Sequence, residues 1–193
     1  MISLFIDTSL SDVSIALVKE GKLLSNIKNT SPKEHSIYTT KFIEDILKEN
    51  NLEPSDVNEI VVVNGPGSFT GIRIGVTIAK MYAYLLKINI KEITSLKIRV
   101  LGFTGDYFLS TIDAKHGNYY IGLYNKEYNT ITEEFNNIDR IDELKEKYNP
   151  VLVTETDDYD IEEIIKYAKN LPSINPVYLK LPEAMEKNDK RSS

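Results

Sequence analysis

A glycine-rich stretch in the first half of the chain has the residue types of a phosphate-binding loop. It reads GPGSFTGIRIG and runs from Gly65 to Gly75. A dinucleotide-binding fingerprint needs G-x-G-x-x-G, and the glycines at 65, 67 and 71 are spaced one residue too far apart for it. A Walker loop places a lysine after its last glycine to reach the phosphates, whereas isoleucine follows Gly71 here. Neither nucleotide-binding motif fits the stretch.

The same stretch has a structural interpretation that accounts for more of its residues. The Gly-Pro-Gly turn gives a tight exit from a strand, and Ser68 or Thr70 can cap the following helix by accepting backbone N–H bonds. Gly71 and Gly75 are four residues apart, which places both on one helix face and lets a second element approach that face closely. The signature loop defined in this way consists of Gly65, Pro66, Gly67, Ser68, Phe69, Thr70 and Gly71.

Two aspartates lie at the same place in an internal repeat. Ile6-Asp7 is followed after seven residues by Ile15-Ala16-Leu17, and Ile112-Asp113 is followed after seven residues by Ile121-Gly122-Leu123. A chance match is one explanation of this similarity. The other is a duplicated unit with an aspartate at the end of its first strand. It predicts an α/β protein of the actin-like (ASKHA) fold, built from two βββαβα units of which the second is shortened.

Asp7 and Asp113 could orient a magnesium-bound water in a small actin-like ATPase or kinase, and this enzyme is the alternative function. Such enzymes cradle phosphates with glycine-containing turns, because a side chain would keep the backbone away from the phosphate oxygens. The turn after Asp7 has no glycine before Val13, and the turn after Asp113 has only Gly117. We therefore favour a structural role for both carboxylates, as acceptors of backbone N–H bonds. The residues that a nucleotide would contact are Asp7, Thr8, Ser9 and Asp113.

The histidine and cysteine content limits other chemistry. The chain has no cysteine and two histidines, His35 and His116, which lie far apart in sequence. Two distant histidines without a clear carboxylate partner make a poor metal site, so we predict no metal. A peptidase has little chemical basis, because the sequence also lacks a G-x-S-x-G nucleophile elbow.

Composition and charge limit which cellular compartment and which classes of partner fit this protein. The absence of cysteine favours a reducing compartment, so we expect a cytoplasmic protein. The most apolar window, residues 72–86, contains Arg73 and Lys80 and is therefore neither a signal peptide nor a membrane span. Residues 1–100 carry 12 Lys and Arg against 11 Asp and Glu, and residues 101–193 carry 11 against 18. No basic patch is visible, so if the protein serves RNA, we expect a partner to hold it.

Hydrophobic periodicity predicts a βββαβαβ order in the first half of the chain. The predicted strands of that half are Ser3–Thr8, Val13–Val18, Leu23–Lys28, Val57–Val63 and Ile88–Thr94, with helices from Ser31-Pro32 to Asn50 and from Thr70 to Leu86. The second half is predicted to contain helix Ile138–Tyr148, strand Val151–Thr154 and helix Ile161–Asn170. We divide the chain into an N-terminal subdomain (1–100), a smaller C-terminal subdomain (101–185) and a disordered tail (186–193).

The helix predicted over residues 70–86 is apolar around nearly its whole circumference, which requires cover on both sides. Its own sheet can cover one side. The preceding helix and another protein are candidates for the other side, and a wholly internal core helix is the alternative.

Six collinear segments resemble the bacterial TsaB (YeaZ) family. They are IDTS at 6–9, HS at 35–36, GPGSFTGIRIG, TSL at 94–96, IDAKHGNYY at 112–120 and PVYLKLPEA at 176–184. The resemblance implies an actin-like fold and a place in the cytoplasmic machinery that makes N6-threonylcarbamoyladenosine beside the anticodon of tRNAs reading codons that begin with A. It also implies a non-catalytic partner of TsaD, the paralogue that transfers the threonylcarbamoyl group.

The family resemblance also implies how the partners meet. TsaB and TsaD contact each other through a bundle of the first two helices of each protein, TsaE joins as an ATPase, and TsaB alone can form homodimers. ATP or ADP could lie at the shared interface, with no cofactor intrinsic to this chain. TsaD-like enzymes hold a metal with two histidines four residues apart, whereas His35 is followed by Thr39 here. The interface residues expected on the two helices are His35, Tyr38, Phe42, Ile46, Arg73, Thr77, Lys80, Met81 and Tyr84.

Overall fold

The computed structural model describes residues 1–29, 35–154, 158–170 and 173–180, without the side chains at 35 and 36. The strands are β1 Ile2–Asp7, β2 Val13–Lys19, β3 Lys22–Asn29, β4 Glu59–Val63, β5 Asn89–Ile93, β6 Tyr107–Asp113, β7 Asn118–Asn125, β8 Thr130–Asn137, β9 Val151–Thr154 and β10 Lys169–Asn170. The α-helices are α1 His35–Glu49, α2 Phe69–Leu86, α3 Ser95–Val100, α4 Ile138–Tyr148 and α5 Ile161–Tyr167, and Pro54–Asp56 forms a 3-10 turn. The start predicted for the first helix and the predicted tail lie outside the described residues.

The strands form two sheets of related topology. The order is β10-β5-β4-β1-β2-β3 in the first sheet and β8-β7-β6-β9 in the second. In each sheet a three-strand antiparallel meander is followed by a strand that returns parallel to its first strand. The second strand shifts register at Leu17/Val18 in one sheet and at Leu123/Tyr124 in the other, which are matching positions of the sequence repeat. The predicted duplication is therefore confirmed, down to this irregularity.

Strand β1 lies at the centre of the first sheet, and all six of its residues are buried. Successive side chains of a strand point to opposite faces of the sheet. Leu4 and Ile6 pack into the cluster that includes α1 and α2, whereas Phe5 packs into the cluster that includes α5. Helices therefore cover both faces of this sheet, which is why its central strands read as continuous apolar runs.

Helices α3 and α5 connect the two halves of the chain. Leu96 of α3 packs with Phe108 of the second sheet, although α3 follows directly on the first sheet. Conversely, Ile164 of α5 packs against Phe5 of the first sheet. Each half thus contributes a helix to the core of the other.

The C-terminal end of α5 corrects one sequence expectation. The predicted helix Ile161–Asn170 ends at Tyr167, and Lys169–Asn170 instead pairs antiparallel with residues 91–92 of β5. This pairing satisfies backbone groups on the edge of the first sheet, which a continued helix would leave open.

Within the described residues, no helix is both long and apolar enough to cross a membrane.

The packing of α5 on the first sheet predicts that shortening a buried side chain of α5 lowers the stability of the protein. Ile164→Ala should lower the free energy of unfolding by about 2–5 kcal/mol, because Ile164 is fully buried against the first sheet and its truncation leaves a cavity. Ile37→Ala is the matched control, because Ile37 is 60% exposed and its loss should change stability by less than about 0.5 kcal/mol. Urea titration followed by circular dichroism measures both. Equal midpoints for the two variants would contradict the packing of α5.

Candidate functional site

The glycine loop after β4 is filled by a turn of the same chain. Ser68 N donates a hydrogen bond to Ser9 O at 2.7 Å. A Cβ atom at Gly67 would lie 2.1 Å from the same Ser9 O, so no side chain fits there. The turn between β1 and β2 therefore occupies the space that a phosphate-binding loop would offer to its ligand.

The start of α2 is packed against Thr8 of that turn. Thr8 Oγ1 donates to Gly71 O at 2.7 Å, and a Cβ atom at Gly75 would lie 2.4 Å from Thr8 Oγ1. This contact confirms that the Gly71 and Gly75 face receives a close neighbour. Ser68 is the residue that caps the helix, because its hydroxyl accepts from Gly71 N at 3.2 Å.

A short segment near the end of the described chain, residues 173–180, closes the other side of the loop, and we call it the strap. Val177 N donates to Asn64 O at 2.7 Å, next to the loop. Asn64 Nδ2 donates to Asn175 O at 3.3 Å. Ile174 is buried in the same cluster as α1 and α2. The strap is thus part of the structure that holds α2.

Both repeat aspartates accept hydrogen bonds from the turn that follows them. Asp7 Oδ1 accepts from Ser9 N at 2.8 Å, and Asp113 Oδ1 accepts from Lys115 N at 2.7 Å. The second oxygen of Asp7 accepts from the Tyr159 hydroxyl at 3.2 Å. The backbone bonds expected for a structural role are therefore present in both halves.

The environments of the two carboxylates differ. Asp113 is exposed, and hydrogen bonds from the ammonium and backbone N–H of Lys115 hold the pKa of Asp113 below its ordinary value. Asp7 is buried, and beside it burial and then the Asp7 charge raise the pKa of Tyr159 well above its ordinary value. Thr8 and Ser9 are fully buried. Nucleotide contact by these residues stays a prediction.

The expected interface residues of α2 lie on one exposed strip. Arg73, Thr77, Lys80, Met81 and Tyr84 are all exposed and are spaced so that they share one side of the helix. Tyr84 is 84% exposed and Met81 47% exposed. A wholly internal α2 is therefore excluded for the chain on its own.

The apolar stripe of α1 corrects part of the expected interface. Phe42 and Ile46 are buried in the core cluster beneath the helix, so they belong to the core of this chain and not to its surface. The wide stripe of α1 faces strand β2 and helix α2, which explains the difference. Tyr38 is half-buried and lies 5.6 Å from the Phe42 ring. The side chain of His35 lies outside the described part of the chain.

Sequence reasoning missed two exposed apolar residues on these two helices. Ile37 of α1 is 60% exposed and Leu85 of α2 is 67% exposed. Leu85 follows Met81 by four residues, so helical spacing from Met81 could have found it. We call the exposed set the α1–α2 face. Its members are Ile37, Arg73, Thr77, Lys80, Met81, Tyr84 and Leu85.

A groove of about 1110 Å³ adjoins the α1–α2 face. Its lining combines apolar residues such as Ile37 and Tyr82 with charged ones such as Lys41 and Glu44. Burial, and after it the charge of Glu44, raises the pKa of the Tyr82 hydroxyl. Among the described residues, no group of three or more His, Cys, Asp or Glu side chains could hold a metal ion.

Comparison with known proteins shows that the chain is similar to proteins of tRNA modification. Residues 22–187 match the family model described as TsaD, tRNA N6-adenosine threonylcarbamoyltransferase. The chain is 37% identical over 79% of its length to the tRNA threonylcarbamoyladenosine biosynthesis protein TsaB of Bacillus subtilis, covering 69% of that protein. It is 33% identical over 76% of its length to the protein of the same name from Buchnera aphidicola subsp. Schizaphis graminum, covering 73% of it.

A solved structure supports the fold. YeaZ from Pseudomonas aeruginosa superimposes with a TM-score of 0.74 at 22% identity, over 92% of this chain and 99% of that one. Together with the duplicated sheets, this similarity confirms the predicted actin-like α/β fold.

The contact between Thr8 and α2 predicts the effect of adding a side chain at Gly75. Gly75→Ala should lower the free energy of unfolding by about 1–3 kcal/mol, because the new methyl group overlaps Thr8 Oγ1. In a Thr8→Ala background the same change should cost little or stabilise, since alanine favours a helix by up to about 1 kcal/mol over glycine. A double-mutant cycle measured by urea unfolding gives the coupling. Additive effects of the two changes would rule out this contact.

Proposed function

The chain belongs to the TsaB (YeaZ) family of tRNA threonylcarbamoyladenosine biosynthesis proteins, and from this premise we propose that it is a non-catalytic scaffold and activator of a TsaD-like partner. The observation that carries the proposal is the α1–α2 face. Docking of this face on the partner would stabilise the partner's active arrangement. The protein then contributes to the modification without holding the reacting groups.

The apolar residues of the α1–α2 face support docking. Tyr84 and Leu85, the most exposed of them on α2, follow Met81 along the helix, and Ile37 adds a fourth large apolar side chain from α1. Removal of apolar surface from water stabilises a complex by about 25 cal/mol per Å² before the costs of association are counted. Monomeric proteins rarely leave a large contiguous apolar patch uncovered. A specific complex that buries about 800 Å² on each partner would cover this face.

Activation by docking requires only that the partner has more than one arrangement. A ligand shifts such an equilibrium by the difference in its affinity for the two states. If the α1–α2 face binds the active arrangement of the TsaD-like partner more tightly, the population of that arrangement rises. No catalytic group from this chain is needed.

The proposal includes a larger cytoplasmic assembly. A TsaE-like ATPase would join the complex, tRNA would be reached only through the complex, and ATP or ADP would lie at a shared interface. The chain alone could pair as a homodimer through a related surface. The net charge of −6 supports indirect contact with tRNA, because an acidic chain repels the phosphate backbone.

Charge introduced on the α1–α2 face tests the docking. Tyr84→Glu and Met81→Glu should each abolish co-purification with the organism's TsaD homologue, because an interface that buries an unpaired carboxylate loses several kcal/mol, about 3 or more. Formation of threonylcarbamoyladenosine in a reconstituted assay should fall to the level seen without this protein. Ile131→Glu is the matched control, since Ile131 is exposed on β8 of the other sheet.

Two outcomes separate the possibilities in this experiment. Loss of binding for the two α2 variants, with normal binding for the control and unchanged melting of all three, supports the proposal. Binding that is unchanged for both α2 variants would overturn it.

A small actin-like ATPase or kinase is the alternative, and the matching aspartate turns favour it. Two contacts oppose it: both oxygens of Asp7 are hydrogen-bonded within the chain, and Ser9 fills the space at Gly67. Isothermal titration of the isolated protein with Mg-ATP should therefore show no micromolar binding. Micromolar binding, with hydrolysis that is lost in Asp7→Asn, would favour the enzyme. Asparagine keeps an oxygen for Ser9 N and so preserves the turn.

A further inference from the structure

Arg73 is held in one orientation at the N-terminal end of the α1–α2 face. Its Cζ atom lies 3.8 Å from the centroid of the Phe69 ring and 5.7 Å from that of the Tyr178 ring. Arg73 Nε donates to the Tyr178 hydroxyl at 2.8 Å, and the two ring centroids are 4.9 Å apart. Three side chains from α2 and the strap thus form one stacked group, which we call the arginine stack.

Backbone hydrogen bonds next to Tyr178 and Phe69 hold the two rings of the arginine stack in place. Tyr178 follows Val177, whose backbone N–H is bonded to Asn64 O at 2.7 Å, and Phe69 follows Ser68, whose N–H is bonded to Ser9 O at 2.7 Å. The two rings therefore belong to segments, the strap and the signature loop, that are each hydrogen-bonded to another part of the chain. An arginine fixed in this way loses little side-chain entropy when it binds a ligand.

The outer part of the Arg73 guanidinium is open to a ligand. Nε is used by Tyr178, and no carboxylate among the described residues forms an ion pair with Arg73. Arg73 is exposed although both neighbouring rings cover part of it. The two terminal nitrogens of a guanidinium form a fork whose spacing matches the two oxygens of a carboxylate.

The charge of α2 favours a negatively charged ligand. The helix contains Arg73 and Lys80 and no acidic residue, whereas the whole chain has a net charge of −6. No acidic residue lies in its first turn to neutralise the positive end of the helix dipole. The exposed side of α2 beside the arginine stack is therefore positive and apolar, although the chain as a whole is acidic.

We propose that Arg73 is a prearranged receptor for an aspartate or glutamate side chain of the docking partner, and so fixes the register of the partner on the α1–α2 face. This inference rests on the proposed function, because Arg73 lies on the same exposed strip as Thr77, Met81 and Tyr84. The partner surface that fits is apolar with a carboxylate at the end nearest the signature loop. Phe69 and Tyr178 act as positioning residues that hold the guanidinium in place.

Two other occupants fit this surface less well. A second copy of the chain related by a two-fold axis would bring the same positive helix to the contact, where like charges oppose each other. A nucleic acid would meet a chain of net charge −6 with only two cations on this helix. Both are outcomes that the experiment below detects.

Calorimetry with the full chain and the TsaD homologue of the same organism tests the receptor. Arg73→Gln should weaken binding by about tenfold or more, because the partner's carboxylate loses its bidentate ligand inside the interface. Arg73→Lys should restore only part of the affinity, since a lysine lacks the fork. Tyr178→Phe keeps the ring and removes the Nε acceptor, and it should weaken binding by a smaller factor of about two to five.

The control and the decisive outcomes are separate from those of the docking test. Lys126→Gln removes one exposed positive charge from the turn between β7 and β8 and should bind as the wild type does. If the wild type binds and Arg73→Gln binds equally well, the receptor is overturned while the docking function stands. If the wild type does not bind, the docking function itself fails. Loss of self-association or of tRNA affinity in Arg73→Gln, with partner affinity unchanged, would also overturn the receptor.

A charge swap identifies the partner's carboxylate. Arg73→Glu should abolish binding, and one Asp or Glu to Arg change on the partner's docking helices should restore it. Absence of rescue by every acidic position on those helices would overturn the assignment of a carboxylate as the ligand.

Discussion

The contact between Thr8 and the first turns of α2 determines which residues of that helix reach the surface of the protein. Thr8 Oγ1 donates to Gly71 O at 2.7 Å, and Gly75 leaves no room for a side chain beside it. This contact fixes the rotation of α2 about its axis. Because the glycine face must point inward, Arg73 and Tyr84 must point outward. The exposed strip is thus a consequence of the glycine spacing, although no glycine belongs to it.

The same aspartate turn has different surroundings in the two halves. The backbone hydrogen bonds at Asp7 and Asp113 agree within 0.1 Å, at 2.8 and 2.7 Å. The first turn is buried under the signature loop, whereas the second is exposed and is paired with Lys115. Since the hydrogen bond persists in both surroundings, it serves the geometry of the turn itself. The burial of the first turn depends on the loop, which has no counterpart of the same sequence in the second half.

Local spacing predicted the elements whose signals are short-range. The repeat of isoleucine and aspartate predicted the paired meanders, and the four-residue glycine spacing predicted a close neighbour at α2. The face of α1 that holds Phe42 and Ile46 was assigned incorrectly, because a wide apolar stripe does not reveal whether a sheet or a partner covers it. The strap was not predicted, since an irregular segment has no periodicity to detect. Its position follows from long-range bonds such as Val177 N to Asn64 O.

The strap makes the α1–α2 face depend on both halves of the molecule. Ile174 packs in the core cluster of the first sheet, and Leu179 packs against the cluster between α3 and the second sheet. Tyr178 lies between these two anchors and carries the ring beside Arg73. The orientation of the guanidinium therefore depends on how the two sheets sit relative to each other. The second half therefore has a physical role at this face, because it supports one end of the segment that orients Arg73.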